Sequence, residues 1–172
     1  MVNLELKVKI KDMNSIRSLV SNLATYAGTL YQEDTYFLVG EKRLKVRDDK
    51  NSKELIYYIR ENESSSKKSR YFLFKIDNFV VFFIKKILRV KSIVNKKRYL
   101  YFYKNTRIHL DEVKDLGNFL ELETVVKDVS KYKNYENEHF KLIDLLNLNN
   151  QEKVRYSYSD LIIKNTLQLD VI

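Results

Sequence analysis

The chain has 172 residues, 44% of them hydrophobic and 32% charged, which is enough for one domain with a core of its own, 1–172, and too little for two substantial ones. Its 32 Lys and Arg against 23 Asp and Glu leave a formal charge of +9, favouring anionic partners. The absence of cysteine excludes disulfides, thiolate chemistry and Cys-based zinc sites, and two histidines are too few for a His-rich metal centre.

The N-terminal "MVNLELKVKI" alternates apolar Leu4, Leu6, Val8 and Ile10 with polar Asn3, Glu5, Lys7 and Lys9, which predicts a strand instead of a signal peptide. Asp12 is placed to cap a helix carrying Ile16, Leu19, Val20, Leu23 and Ala27 at helical spacing, with Gly28 at its stop. Short Tyr- and Phe-rich runs, "DTYFLVG", "RLKVRDD", "ELIYYIRE" and "RYFLFKI", then read as antiparallel strands joined by polar loops; the serine-lysine loop at 62–69 is the expected mobile segment.

Asp77 is placed to cap a second helix over 78–90, where Phe79, Phe83 and Ile87, flanked by Val80, Ile84 and Leu88, read as a core-facing stripe. Two or three more strands follow, "SIVNKKRYLYFY", "TRIHLD" and "NFLELETVV", with Gly117 in a turn. A third helix over 128–147 would place Val129, Tyr132, Phe140, Ile143 and Leu146 on one side, whereas "RYSYSDLIIKN" fits helix or strand. About eight strands with two or three helices predict an α+β fold dominated by one antiparallel sheet. The longest apolar run, "FVVFFI", is far too short to span a membrane, so a cytoplasmic protein with no membrane partner is expected.

The polar sides of these strands carry Glu5, Lys7 and Lys9; Arg43, Lys45 and Arg47; Arg60; Lys96 and Arg98; Arg107, His109 and Asp111; Glu121 and Glu123. An antiparallel sheet with one wet face would show such alternation merely to stay soluble. Against that, bases and acids are segregated by strand, and a sheet of about eight strands can close so that this face becomes an interior. An interior of bases with a few carboxylates suits a polyanion bound with a hard cation, and the three glutamates would repel a nucleic-acid backbone.

These segments resemble the CYTH group, the class IV adenylyl cyclases and their thiamine triphosphatase relatives, whose hallmark is Glu-x-Glu-x-Lys. "NLELK" at 3–7 looks like that hallmark, and "QEDTYF", "RLKVR", "ELIYYIRE", "VNKKRYLYF", "RIHLDEVKDLGNFLELE" and "YSYSDLI" follow in the order of the cyclase-like branch. The resemblance implies an antiparallel, roughly eight-stranded β-barrel, a triphosphate tunnel, with flanking helices. It implies Glu5 and Glu121 as principal Mg²⁺ or Mn²⁺ ligands with Glu123 and Asp111 beside them. Lys7, Lys45, Arg47, Arg60, Lys96, Arg98 and Arg107 would be triphosphate contacts, joined by Lys9 through strand parity, and Lys7 and Arg98 would be catalytic. The first Glu of the hallmark is Asn3 here, which removes a charge from the metal site while leaving an amide oxygen.

The implied activity is conversion of ATP to cyclic AMP and pyrophosphate. A triphosphatase acting on thiamine triphosphate, tripolyphosphate or a nucleotide, and a non-catalytic binder of triphosphate or polyphosphate, remain as alternatives. Homodimerisation fits such a family. His109 reads as a wall residue or phosphate contact ahead of a proton acceptor, and His139 as structural.

Overall fold

The computed structural model describes residues 2–40, 42–60 and 69–169. The chain order is β1 (Val2–Ile10), α1 (Met13–Leu23), β2 (Thr25–Val39), β3 (Lys42–Asp48), β4 (Lys53–Arg60), β5 (Ser69–Ile76), α2 (Asn78–Ile87), β6 (Val90–Tyr103), β7 (Thr106–Val113), β8 (Gly117–Val126), α3 (Tyr132–Leu145) and α4 (Tyr158–Leu169). The strands form one antiparallel eight-stranded sheet in the order β1-β8-β7-β6-β2-β3-β4-β5. β1 and β5 are its edges and are not paired with each other among the described residues. Even so, Leu73 of β5 lines the same cavity as Asn3, Glu5 and Lys7 of β1, so the sheet curls into a barrel-like tunnel with an open seam. The segment after α3 runs along β1, where Lys9 N–H donates to the Glu152 carbonyl (3.1 Å) and Val154 N–H to the Lys7 carbonyl (2.8 Å).

Alternation divides each strand between two environments. The outward side of β1, β8, β7 and β6 supplies Val8, Ile10, Leu120, Leu122, Ile108, Leu110, Tyr99 and Tyr101 to a core that α1 covers with Ile16 and Val20, and α3 with Leu142 and Ile143. A second cluster lies on the inward side, where Tyr36, Val94, Val113 and Phe119 meet Tyr158 of α4, backed by Leu161 and Ile162. α4 therefore plugs one end of the tunnel, and the segment 155–165 that fitted helix or strand is helical from Tyr158 on.

Both predicted aspartate caps are present: Asp12 accepts from the N–H groups of Asn14 (3.0 Å) and Ser15 (3.2 Å), and Asp77 from Val80 N–H (2.9 Å). Three expectations are corrected. α1 stops at Leu23, and Gly28 sits within β2 at a register shift with φ +138°, so this glycine serves a β-bulge and not a helix end. α2 shows its Phe79-Phe83-Ile87 stripe to solvent: Phe79 is 70% exposed and Ile87 76%, while Val81, Ile84 and Leu88 are half-buried. In α3, Phe140 and the preceding Val129 are exposed, and the inward side is His139, Leu142 and Ile143. The predicted loop 62–69, except Ser69, and the Arg60 side chain lie outside the described residues. Among the described residues no helix is long and apolar enough to cross a membrane.

Candidate active site

The inward faces of the curled sheet enclose a cavity of about 490 Å³. β1 contributes Asn3, Glu5 and Lys7, β3 contributes Arg43, Lys45 and Arg47, and β6 contributes Lys96 and Arg98. β7 adds Arg107 and His109, and β8 adds Glu121 and Glu123. Register brings them together: Lys7 stands opposite Glu121, Glu5 opposite Glu123, His109 opposite Glu121, and Arg98 opposite Asp111. Asp111 is fully buried behind Arg98 and does not itself line the cavity. Lys9 has the inward parity of β1, but its side chain is exposed and lies outside the lining.

Two ion-pair clusters organise the charges. On the β1–β8–β7 wall, Arg98 donates from Nε to Asp111 Oδ1 (2.6 Å) and from Nη2 to Asp111 Oδ2 (2.6 Å) and Glu121 Oε2 (3.0 Å). Lys7 Nζ lies 3.3 Å from Glu121 Oε1, and Arg107 donates to Glu123 Oε1 (2.8 Å). Burial alone would raise the Glu121 carboxyl, but Lys7 and Arg98 hold it well below the usual range. Asp111 is lowered in the same way by Arg98 and also accepts from the Tyr158 hydroxyl (2.8 Å). His109 Nδ1 is 3.6 Å from Glu121 Oε2, too long for a hydrogen bond, and burial beside Arg98 lowers its pKa, keeping the ring neutral.

The second cluster centres on Asp34 of β2. This fully buried carboxylate accepts from Lys45 Nζ (2.9 Å), Lys96 Nζ (3.0 Å), and Arg47 Nε (2.7 Å) and Nη2 (3.0 Å). Sequence reading missed it. The signal was available in "QEDTYF", where Gln32, Asp34 and Tyr36 share one strand face, but no role was given to the single acid there. Burial pushes Lys45 down to about 7 and Lys96 to about 8, with Asp34 opposing the fall and the neighbouring cations adding to it. Tyr158 was missed as well: its ring packs on Phe119 and lies beneath Lys7 Nζ, 4.3 Å from the centroid.

A larger groove, about 870 Å³, runs over the outside of the same wall beside the outward-facing Tyr31, Glu33, Lys97 and Glu112. It shares only Gln32 and Lys96 with the inner cavity and mixes acids with bases. The buried, segregated charges converge in the smaller space.

Asn3, Glu5, Glu121 and Glu123 present oxygen donors only, which suits a hard cation. Asn3 Nδ2 donates to Glu123 Oε1 (2.6 Å), while Asn3 Oδ1 is buried with no hydrogen-bond partner. Among the described residues no three His, Asp or Glu side chains are gathered as a ready metal cluster, and cations engage Glu121 and Glu123.

Comparison with known proteins gives this geometry a context. The CYTH domain model matches residues 1–158. The chain belongs to the CYTH domain family. A Methanocaldococcus jannaschii protein named as a candidate adenylate cyclase is 27% identical over 172 residues, covering 94% of this chain and 98% of that one. Among solved structures, a protein of Pyrococcus horikoshii OT3 superposes with TM-score 0.81 at 22% identity, over 92% of this chain and 98% of that one. A candidate adenylyl cyclase of Hippeastrum, described as having a dominant triphosphatase activity, superposes with TM-score 0.69 at 12% identity over 95% of each chain. At these identities the structural matches speak for the CYTH fold.

Proposed function

We propose that this CYTH chain binds a nucleoside triphosphate in its inner cavity and converts ATP to cyclic AMP and pyrophosphate with a divalent cation. The observation that carries the reading is the gathering of Lys7, Lys45, Arg47, Lys96, Arg98 and Arg107 from four strands around one enclosed space. Six cations around one cavity, with Lys45, Lys96 and Arg98 buried, suit a ligand of high negative charge. The same cavity is lined by Leu30, Leu100, Phe102, Ile56 and Leu73, an apolar stretch that an inorganic triphosphate would leave unused and a nucleoside would fill.

In this reading the bases hold the phosphates in line for attack by the ribose 3′-hydroxyl on the α-phosphorus. The new bond forms between that oxygen and the α-phosphorus. The bond from the α-phosphorus to the oxygen bridging to the β-phosphorus breaks, and pyrophosphate and one proton are released. Charge developing on the leaving oxygen is met by fixed guanidinium and ammonium groups, which need no reorganisation. Lys7 and Arg98, each bonded to Glu121, are the catalytic cations of this scheme. Mg²⁺ or Mn²⁺ would be held by Glu5, Glu121 and Glu123 with the Asn3 amide oxygen, and would supply charge neutralisation on the phosphates.

A triphosphatase uses the same parts with water attacking the terminal phosphorus, and the activity described for the Hippeastrum protein favours keeping it as the second reading. Incubation with ATP and Mn²⁺, followed by chromatography, separates the two. Cyclic AMP with pyrophosphate is the expected product pair; ADP with orthophosphate would replace the cyclase with the triphosphatase, and binding without turnover would leave a triphosphate-binding module.

A further inference from the structure

We propose that Asp34 is the positioning residue of a phosphate clamp, holding Lys45, Arg47 and Lys96 so that their remaining N–H groups address one end of the cavity before any ligand enters. The inference rests on the triphosphate reading of this cavity and assigns which cations take one end of the substrate. Asp34 is buried, and it is not among the residues lining the cavity, whereas all three of its partners are. It therefore cannot be a substrate contact; it acts through the side chains it holds.

Three strands converge here. Asp34 stands opposite Arg47 across the β2–β3 pair, Lys45 is two residues along on the same face, and Lys96 comes from β6 on the other flank. Each ammonium has three donors, of which Asp34 takes one from each, and Arg47 gives it Nε and Nη2. The unused donors make a site for tetrahedral oxygens. Three cations on one carboxylate leave a surplus of two positive charges. In the other cluster Lys7, Arg98 and Arg107 are each bonded to an acid, Glu121, Asp111 or Glu123. The cavity is thus polar end to end: a phosphoryl group at the Asp34 end is bound by bases alone, and the carboxylate-rich wall is left for the phosphoryl group that shares a cation.

Removing the acid would loosen this wall and discharge it. Lys45 is surrounded by Asp34, Arg47, Lys96 and the Tyr36 ring; Lys96 by Asp34, Arg98, Arg47, Asp111 and the Tyr158 ring. Asp34 is the carboxylate bonded to both ammonium groups, so without it their protonated forms lose their main support as pH rises.

The test is calorimetric titration of inorganic tripolyphosphate, in EDTA, into the whole chain and its Asp34→Asn and Asp34→Glu variants between pH 5.5 and 8.5. Asp34→Asn should bind about tenfold or more weakly at pH 8.5, with the deficit shrinking to about threefold at pH 5.5, where the higher proton concentration favours the charged lysines. A residue that only stabilised the fold would lower the unfolding temperature and leave the affinity ratio flat across pH, and that result overturns the proposal. Should Asp34→Asn fail to fold, Asp34→Glu decides: displacing the carboxylate by one methylene should weaken binding about threefold or more, and unchanged affinity overturns it. Absence of tripolyphosphate binding by the unsubstituted chain at every pH would instead overturn the triphosphate reading itself, and the clamp with it.

Discussion

Arg98 lies between two carboxylates, and the geometry makes each of the three groups depend on the others. Its fork meets Asp111 through Nε and Nη2, while Nη2 also reaches Glu121. Arg98→Ala would leave Asp111 fully buried without its counter-charge, a loss of about 3–5 kcal/mol in pairs of this kind. Urea denaturation should show that loss, and tripolyphosphate affinity should fall by about tenfold. Arg98→Lys keeps the charge but loses the planar fork, so it should recover part of the stability and little of the affinity. Lys45 and Lys96 give a second handle. With Lys45 at about 7 and Lys96 at about 8, both are partly deprotonated at pH 8.5, and an arriving polyanion favours their charged forms. Triphosphate binding at that pH should therefore take up protons, visible as heats that change with the ionisation enthalpy of the buffer. Proton release would contradict the placement of these lysines against the ligand.

At the scale of elements, the strands were readable because alternation on a curled sheet maps directly onto inside and outside. Leu4, Leu6, Val8 and Ile10 against Asn3, Glu5 and Lys7 separates the side of β1 that packs under the helices from the polar side, which the curl of the sheet turns into the cavity. The exception is instructive: Lys9 keeps the inward parity, yet it lies near the end of β1, opposite Phe119, and its side chain reaches solvent. Parity gives the face of a residue and not its depth along the tunnel. α2 failed for another reason. Its apolar residues surround the helix, so periodicity alone could not say which stripe faces the protein, and the bulkier one faces out. Phe79→Ser and Phe83→Ser should accordingly change stability by less than about 1 kcal/mol, whereas Leu142→Ala in α3 should cost about 2–5 kcal/mol. Thermal or chemical denaturation of the three variants distinguishes this arrangement from one with α2 turned inward. Asp34 stayed hidden because a single acid on its strand face, between Gln32 and Tyr36, carries no repeat; only the pairing of β3 and β6 with β2 shows the three cations around it.

Across the whole molecule, the charged interior sets the response to acid. Asp34, Asp111 and Glu121 titrate lower when folded than unfolded, and Asp160 is brought to about 2 by Ser157, Lys91 and Arg43 against the opposing effect of burial. The unfolded chain then binds more protons on acidification, so the stability these groups supply is complete above the ordinary carboxylate range and is lost as pH falls through their folded values. Urea midpoints should drop steeply below about pH 4 and climb again above about pH 7, where Lys45 and Lys96 lose protons that the unfolded chain still holds. The same organisation ties the fold to the proposed activity: β1 and β8 bring Glu5, Glu121 and Glu123 to one wall, β3 and β6 bring three bases around Asp34 of β2, and α4 plugs one end with Tyr158. Glu121→Ala should abolish divalent-dependent turnover while leaving the circular dichroism of the fold in place.

The most direct measurement is a crystal structure of the protein with Mn²⁺ and a nucleotide analogue whose α–β bridging oxygen is replaced by methylene. The account predicts phosphate oxygens inside the curled sheet, within hydrogen-bond distance of Lys45, Lys96 and Arg98, with the cation beside Glu5, Glu121 and Glu123. Nucleotide bound in the outer groove beside Tyr31 and Lys97, with the inner cavity holding only water, would contradict it.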